Sequence, residues 1–276
     1  MARKDGRLFD QMRPIALRYD ICHYPAGSVL IEQGRTKVLC SVSMQPTVPP
    51  FLRGKKMGWL TAEYSMLPTA THIRKEREQF ASRPNGRTME ISRLIGRSLR
   101  TILDLAAIGE RTITIDCDVI QADGSTRTAS ITGAYVALRI AVDRWLRNGI
   151  LQQEIIKEGI AAVSIGMYRE QLLLDLDCGE DSMIDADFNF VLTESGNIIE
   201  VQGCAERLPV SWPVLQEMYF LAQKGVDEIF ALLGDLQRPP FSHQRSSAQF
   251  RSQFVPARSA KQVPFMMHDE EEQAPL

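Results

Sequence analysis

Apolar and polar residues alternate over residues 112–119, with Ile113, Ile115, Cys117 and Val119 set against Thr112, Thr114, Asp116 and Asp118. A period of two sends the two sets to opposite faces, so the stretch reads as a half-buried strand. Asp123-Gly124 follows as a turn, because glycine adopts positive φ freely. Ser125 or Thr126 then stands where a helix N-cap belongs, and the Ala-rich apolar run beyond it lasts to about Trp145. The same alternation appears earlier in Val29 and Ile31, and again in Val38, Cys40 and Val42, with Gly34-Arg35 between them as the turn of a hairpin. Residues 1–20 are polar and basic, and Arg13-Pro14 marks an extended approach to that hairpin. A Pro- and Gly-rich loop leads to a third half-buried strand over residues 59–67.

At Gly86 the period changes to that of a helix. Ile91, Leu94, Ile95, Ser98, Ile102 and Leu105 fall on one face, and Arg93, Arg97 and Arg100 on the other, where they read as solvated or subunit-contacting. Asn148-Gly149 stops the second long helix. A second hairpin is expected from residues 162–167 and 172–176, then an acidic loop over 179–187, a strand over 188–193, a turn at Ser195-Gly196-Asn197 and a strand over 198–202. Ser211 caps a last helix, with Pro213 in its first turn and Leu215, Met218, Ala222, Val226, Ile229 and Leu233 on its apolar face. This order of hairpins and helices gives an α+β fold with mixed sheets. The chain divides into subdomains over 1–150 and 151–240, and residues 241–276, rich in Ser, Gln, Arg and Pro before an acidic run, are expected to be a disordered tail.

Composition adds limits. The chain has 276 residues, 44% hydrophobic and 24% charged, with a net charge of −2. A nearly neutral molecule has no bulk attraction for nucleic acid or membranes. Its charge is nevertheless segregated, with eight Lys/Arg against three Asp/Glu in residues 74–100 and ten Asp/Glu against two Arg in residues 161–210. That asymmetry fits a site with a polyanion on one wall and a divalent cation on the other. The five cysteines lack close pairing and read as reduced core residues of a cytosolic protein. His23 and His72 read as loop residues, and neither an apolar leader nor a membrane-length run is present.

The strand, tight turn and helix start around residues 116–127 leave amide N–H groups without intrahelical partners, at the positive end of the helix dipole. Such a place suits phosphate. Arg127 adds a guanidinium able to grip two oxygens at once. Holding phosphate at millimolar concentration takes about 4 kcal/mol, and a charge-assisted hydrogen bond nets about 1.5–3 kcal/mol. One arginine is therefore marginal, whereas Arg87 and Arg127 together with backbone amides suffice. Asp181 and Asp187 offer the few hard oxygens that Mg²⁺ prefers. Arg74 and Arg77 are candidate contacts to an RNA backbone, lending affinity rather than sequence reading.

The strings Trp59-Leu-Thr-Ala-Glu-Tyr, Gly86-Arg-Thr-Met-Glu-Ile, Arg93-Leu-Ile-Gly-Arg-Ser-Leu-Arg100, Asp116-Cys-Asp-Val-Ile-Gln-Ala-Asp-Gly, Thr126-Arg-Thr-Ala-Ser-Ile-Thr-Gly133, Glu180-Asp-Ser and Glu200-Val-Gln-Gly strongly resemble the RNase PH family of bacterial phosphorolytic exoribonucleases, which trim tRNA 3′ ends. The resemblance spans residues 8–235 and implies a ribosomal-protein-S5-domain-2-like fold in a cytoplasmic homohexamer, a trimer of dimers. By motif position it places phosphate on Arg87, Ser125, Thr126 and Arg127, a divalent metal on Asp181 and Asp187, and RNA on Arg74 and Arg77. The activity it implies removes terminal nucleotides of tRNA precursors, with a role in rRNA processing, as nucleoside diphosphates, with inorganic phosphate as co-substrate and Mg²⁺ as cofactor, and adds nucleotides in reverse. A silent RNA-binding ring subunit and a hydrolytic nuclease are the rival readings. The family usually has Gly-Gly-Thr-Arg where this chain has Gly124-Ser125-Thr126-Arg127. Ser125 therefore either carries strain at a positive φ or turns its hydroxyl to the anion. Thr69 stands where an arginine is usual, and Gln202-Gly-Cys-Ala-Glu-Arg207 also departs from the family pattern.

Overall fold

In the computed structural model, residues 3–77 and 85–234 are described, and the tail expected over 241–276 lies outside them. The strand with alternating sides is β5 (Thr112–Gln121), and the helix after it is α3 (Thr126–Arg147). Ile113, Ile115, Cys117 and Val119 are all buried. Around β5 a five-stranded sheet forms in the order β1-β2-β3-β5-β4, from β1 (Ile15–Tyr19), β2 (Gly27–Gln33), β3 (Thr36–Gln45) and β4 (Trp59–Met66). The predicted hairpin is β2–β3, pairing Ile31 with Val38 and Val29 with Cys40. β4 runs parallel to β5 and the other pairs are antiparallel, so this sheet is mixed. A parallel pair needs a crossover, and α1 (Gly86–Thr101) with the short α2 (Leu105–Ile108) lies between β4 and β5 in the chain.

A second sheet, order β7-β6-β8-β9, is antiparallel throughout: β6 (Ile160–Tyr168), β7 (Gln171–Leu174), β8 (Ala186–Thr193) and β9 (Ile198–Ala205). Helix α3 packs against β2 and β3 on one side and β6 on the other. This explains why it is apolar nearly all round rather than along one stripe. Gly133 lets it come close, since a Cβ there would meet Cys40 Sγ and Ile31 Cγ2 at 2.8 Å. Helix α5 (Trp212–Leu233) covers β6 with Met218, Ala222, Val226, Ile229 and Leu233 buried and Leu215 partly so.

Several expectations change. The approach over residues 1–20 contains a strand, β1, and two of its basic residues, Arg3 and Arg13, are buried. Neither Ser125 nor Ser211 makes a side-chain cap, although each occupies the N-cap position. The expected acidic loop holds a short helix, α4 (Cys178–Asp181), closed by a capping box between Asp177 and Glu180. Leu105 belongs to α2 rather than to the end of α1. Arg97 and Arg100 are not simply solvated: Arg97 pairs with Glu200 across to β9, and Arg100 lies 4.4 Å from the Trp59 ring centre and donates to Leu60 O. Cys40 and Cys117 are core residues, but Cys178 and Cys204 are exposed, so the core reading fails for that pair; all five thiols are free.

Candidate active site

The loop between β5 and α3 is fixed by contacts from several directions. Gly124 has φ +80°, and a Cβ there would stand 2.4 Å from Leu176 O, so only glycine fits. Thr36 Oγ1 donates to Gly124 O (2.7 Å) and accepts from Asp123 N (2.9 Å), and Arg13 donates to Asp123 O. Tyr64, buried on β4, donates from its hydroxyl to Thr126 Oγ1 at 3.0 Å. The first amides of α3 have no intrahelical acceptor.

Ser125 resolves the question raised by its departure from glycine. Its φ is +53° and ψ 29°, a left-handed conformation that costs a side-chain-bearing residue about 1–2 kcal/mol. Its hydroxyl does not reach toward an anion. Oγ lies 2.8 Å from Ser164 Oγ, 3.0 Å from Asp175 Oδ1 and 3.0 Å from Leu176 O. Ser164 Oγ already accepts from Leu176 N (3.2 Å), so its own proton is free for Ser125, whose proton then goes to Asp175 or Leu176. A hydrogen bond to a charged group is worth about 1.5–3 kcal/mol, which offsets the backbone strain.

Asp175 is the hub of this support. It is fully buried and accepts from Arg13 N (2.8 Å), Arg13 Nε (2.9 Å), Arg13 Nη2 (2.5 Å) and Gln33 Nε2 (2.8 Å). Burial pushes its carboxyl up, but the Arg13 hydrogen bonds and charge outweigh that and hold it below the usual range. Arg3 reaches the same corner, bound at Nε and Nη2 to the Glu180 carboxylate (2.7 and 2.6 Å).

Beside this loop lies a cleft of about 380 Å³. Its lining brings together Arg87, Ser125, Thr126, Arg127, Asp181 and Asp187 from α1, the β5–α3 loop, α4 and β8. Arg87 sits in the first turn of α1, whose N-cap Asn85 accepts from the Arg87 amide. Arg127 donates from Nη2 to Glu90 Oε2 at 2.8 Å, while its Nε is buried without a partner among the described residues. Basic and acidic walls thus face one space, as the segregated charge of the sequence suggested. Arg74 and Arg77 are exposed and do not line this cleft; Thr71, His72 and Lys75 of the same segment do. Sequence reading missed His72, Lys75 and Asn189. Their signal was present only as polar residues near the basic stretch and inside β8.

On the acidic wall, burial and the neighbouring Asp181 push Asp187 up to about 6, against the pull of Arg127 and a 3.4 Å hydrogen bond from Asn189 Nδ2. Asp181 is exposed as a residue, yet desolvation of its carboxyl raises it too, against the pull of Arg87. Two carboxylates that crowd each other in this way are a donor set a divalent cation would relieve. Among the described residues no cluster of three or more His, Cys, Asp or Glu forms. A pair of carboxylates is a donor set that fits Mg²⁺, which needs only one or two from the protein and keeps its remaining waters.

Residues 11–142 match the 3′ exoribonuclease family, domain 1, and residues 160–225 match domain 2 of the same family. The chain is 54% identical over 224 residues to Ribonuclease PH of Neisseria meningitidis serogroup B, covering 81% of this chain and 93% of that one. It is 50% identical over 238 residues to Ribonuclease PH of Bacillus subtilis, covering 84% and 97%. In fold it is similar to rice Rrp46 (TM-score 0.69, 18% identity, 85% of this chain and 100% of that one) and to a chain of the Archaeoglobus fulgidus exosome with RNA bound to the active site (TM-score 0.71, 20% identity, 84% and 92%). With both family domains present in order and half of the aligned residues shared with these relatives, the chain belongs to the RNase PH family of 3′ exoribonucleases.

Proposed function

We propose that the cleft is where inorganic phosphate attacks the 3′ end of RNA, the chain acting as a phosphorolytic 3′-to-5′ exoribonuclease on tRNA precursors. The observation that carries the site assignment is the convergence of Arg87, Arg127 and the α3 N-terminus on one cleft with Asp181 and Asp187 opposite. Arg127, with a buried Nε that no group among the described residues satisfies, is held ready for an anion. Arg87 and the amides at Thr126 and Arg127 complete the cradle, in which phosphate is positioned and its charge offset. Ser125 acts behind the loop, holding its conformation through Asp175 rather than touching phosphate.

An oxygen of hydrogen phosphate forms a bond to the terminal phosphorus, in line with the 3′ oxygen of the penultimate nucleotide. The bond to that oxygen breaks, the proton of hydrogen phosphate ends on it, and the last nucleotide leaves as a nucleoside 5′-diphosphate. No protein nucleophile is consumed. Because a phosphoanhydride replaces a phosphodiester, the same site run backward adds nucleotides. Asp181 and Asp187 would hold Mg²⁺, which when bound supplies neutralisation of charge on the phosphoryl oxygens. Arg74 and Arg77, exposed beyond the cleft, would lend affinity for the RNA backbone, with Lys75 nearer the reacting end.

The reading extends to a cytoplasmic homohexamer, a trimer of dimers. Trp212 and Phe220 of α5 expose 74% and 58% of their surface, which subunit contact would cover. No helix among the described residues is long and apolar enough to cross a membrane. The test uses tRNA carrying extra 3′ nucleotides with Mg²⁺, with and without phosphate. Phosphate-dependent release of nucleoside diphosphates supports the reading. Nucleoside monophosphates released without phosphate, or binding without turnover, would overturn it.

A further inference from the structure

Arg127 is not alone at the phosphate end of the cleft. Glu90 lies in the first turns of α1, three residues after Arg87 and so on the same helix face. One carboxylate oxygen of Glu90 accepts from Arg127 Nη2 at 2.8 Å, and the other accepts from Gln202 Nε2 of β9 at 2.9 Å. The Glu90 carboxylate is thus gripped from both sides, by the helix that starts the anion cradle and by the edge strand of the second sheet. Two buried atoms in this group lack a partner among the described residues: Arg127 Nε, a donor, and Gln202 Oε1, an acceptor. The Gln202 amide cannot be turned round to help, because its oxygen would then face the Glu90 carboxylate.

From this arrangement we infer that Glu90, seated by Gln202, is a positioning residue for Arg127. It occupies Nη2 of the guanidinium and so fixes the plane of the group whose remaining donors would meet an anion. A long side chain otherwise loses rotamer freedom when it binds, and one already held loses less. Glu90 also sets a negative charge against a guanidinium that shares its cleft with Arg87 before any anion arrives. The inference rests on the reading that Arg127 binds phosphate.

The electrostatics make the idea testable in sign. A carboxylate beside an anion site repels the anion, so if Glu90 only filled space, its removal would tighten phosphate binding. The positioning role predicts the reverse. In phosphorolysis by the full chain, Glu90→Ala should raise the phosphate KM at least tenfold and leave the RNA KM within about twofold. Glu90→Gln keeps the shape, and Gln202 can turn its oxygen to the new amide, but the charge that grips Arg127 is lost, so this variant should raise the phosphate KM as well. The swap Glu90→Gln with Gln202→Glu returns the negative charge to the pair, one side chain further from Arg127, and should bring the KM part of the way back, below that of Glu90→Gln. Should the alanine variant melt below the assay temperature, the glutamine variant and the swap carry the comparison alone. An unchanged or lowered phosphate KM in these variants, with Arg127→Ala inactive, overturns the role of Glu90 and leaves the site assignment standing. A normal phosphate KM in Arg127→Ala overturns the site assignment itself.

Discussion

Two aspartates of the second half of the chain, Asp175 buried just after β7 and Asp187 half-buried on β8 at the cleft, meet opposite fates. Asp175 is saturated, receiving hydrogen bonds from Arg13, Gln33 and Ser125, and its carboxyl is held below the usual range even though burial pushes it up. Asp187 has one long hydrogen bond from Asn189 and a second carboxylate nearby, and burial drives it up to about 6. Burial alone therefore does not distinguish a structural carboxylate from a reactive one. The supply of donors does: the carboxylate the fold leaves wanting is the one facing the cleft, as expected of a group whose partner arrives with the reaction.

Breaking the saturated hub should have the largest effect on stability. Asp175→Asn leaves Arg13 buried without its counter-charge, and breaking such a pair costs about 3–5 kcal/mol. Chemical denaturation should register that loss, and a change under about 1 kcal/mol would mean the hub is ornamental. Asp187→Asn should do the opposite, lowering phosphorolysis by about 10²–10³-fold, the range seen when one group stabilising developing charge is removed, without weakening the fold.

The two aspartates should also carry opposite signs in pH. Asp187 is raised from 3.8 to about 6, so it favours the folded state below its unfolded value, and that benefit is lost as pH rises through 6. Above pH 6, without metal, Asp187→Asn should therefore be more stable than the native chain by about 1–3 kcal/mol, because each tenfold change in proton affinity between the folded and unfolded states is worth about 1.36 kcal/mol. Asp175, being lowered, contributes stability above its unfolded value that is lost as pH falls. Melting curves from about pH 4 to pH 8 check both signs. In the same series Mg²⁺ should raise the melting temperature of the native chain and not that of Asp187→Asn.

The smallest effect concerns Ser125. Ser125→Ala keeps the strained backbone and loses the bond to Asp175, for a cost of about 1.5–3 kcal/mol. Ser125→Gly loses the same bond but relieves the left-handed backbone by about 1 kcal/mol. Stability should fall in the order serine, glycine, alanine, and a glycine variant more stable than the serine protein would show that the hydroxyl contributes little.

Much of this was legible in the sequence, for local reasons. Alternation marked β2, β3 and β5, helical periodicity marked α1, and the Asp123-Gly124 turn before a long apolar run marked the anion loop. The cleft residues Arg87, Arg127, Asp181 and Asp187 stood as separate candidates in the sequence and were joined by motif resemblance, since they lie far apart in the chain and no local pattern links them. What escaped was the support behind them. Arg3 and Arg13 stood only as part of a polar, basic approach, because their partners, Glu180 and Asp175, are more than 160 residues away in sequence. Ser125 read as a cap or an anion donor, because a hydroxyl in a helix-start position usually does one or the other. Only the tertiary approach of Asp175 turns it inward. Glu90 lay inside a recognised string, but its link to Arg127 and Gln202 depends on α1 crossing to β9.

The central claim is that phosphate sits between the two guanidinium groups at positions 87 and 127. Its most direct test is a crystal structure with phosphate bound. The account predicts the anion within hydrogen-bonding distance of Arg87, Arg127 Nε and the first amides of α3. An anion bound elsewhere, with both arginines untouched, would contradict it.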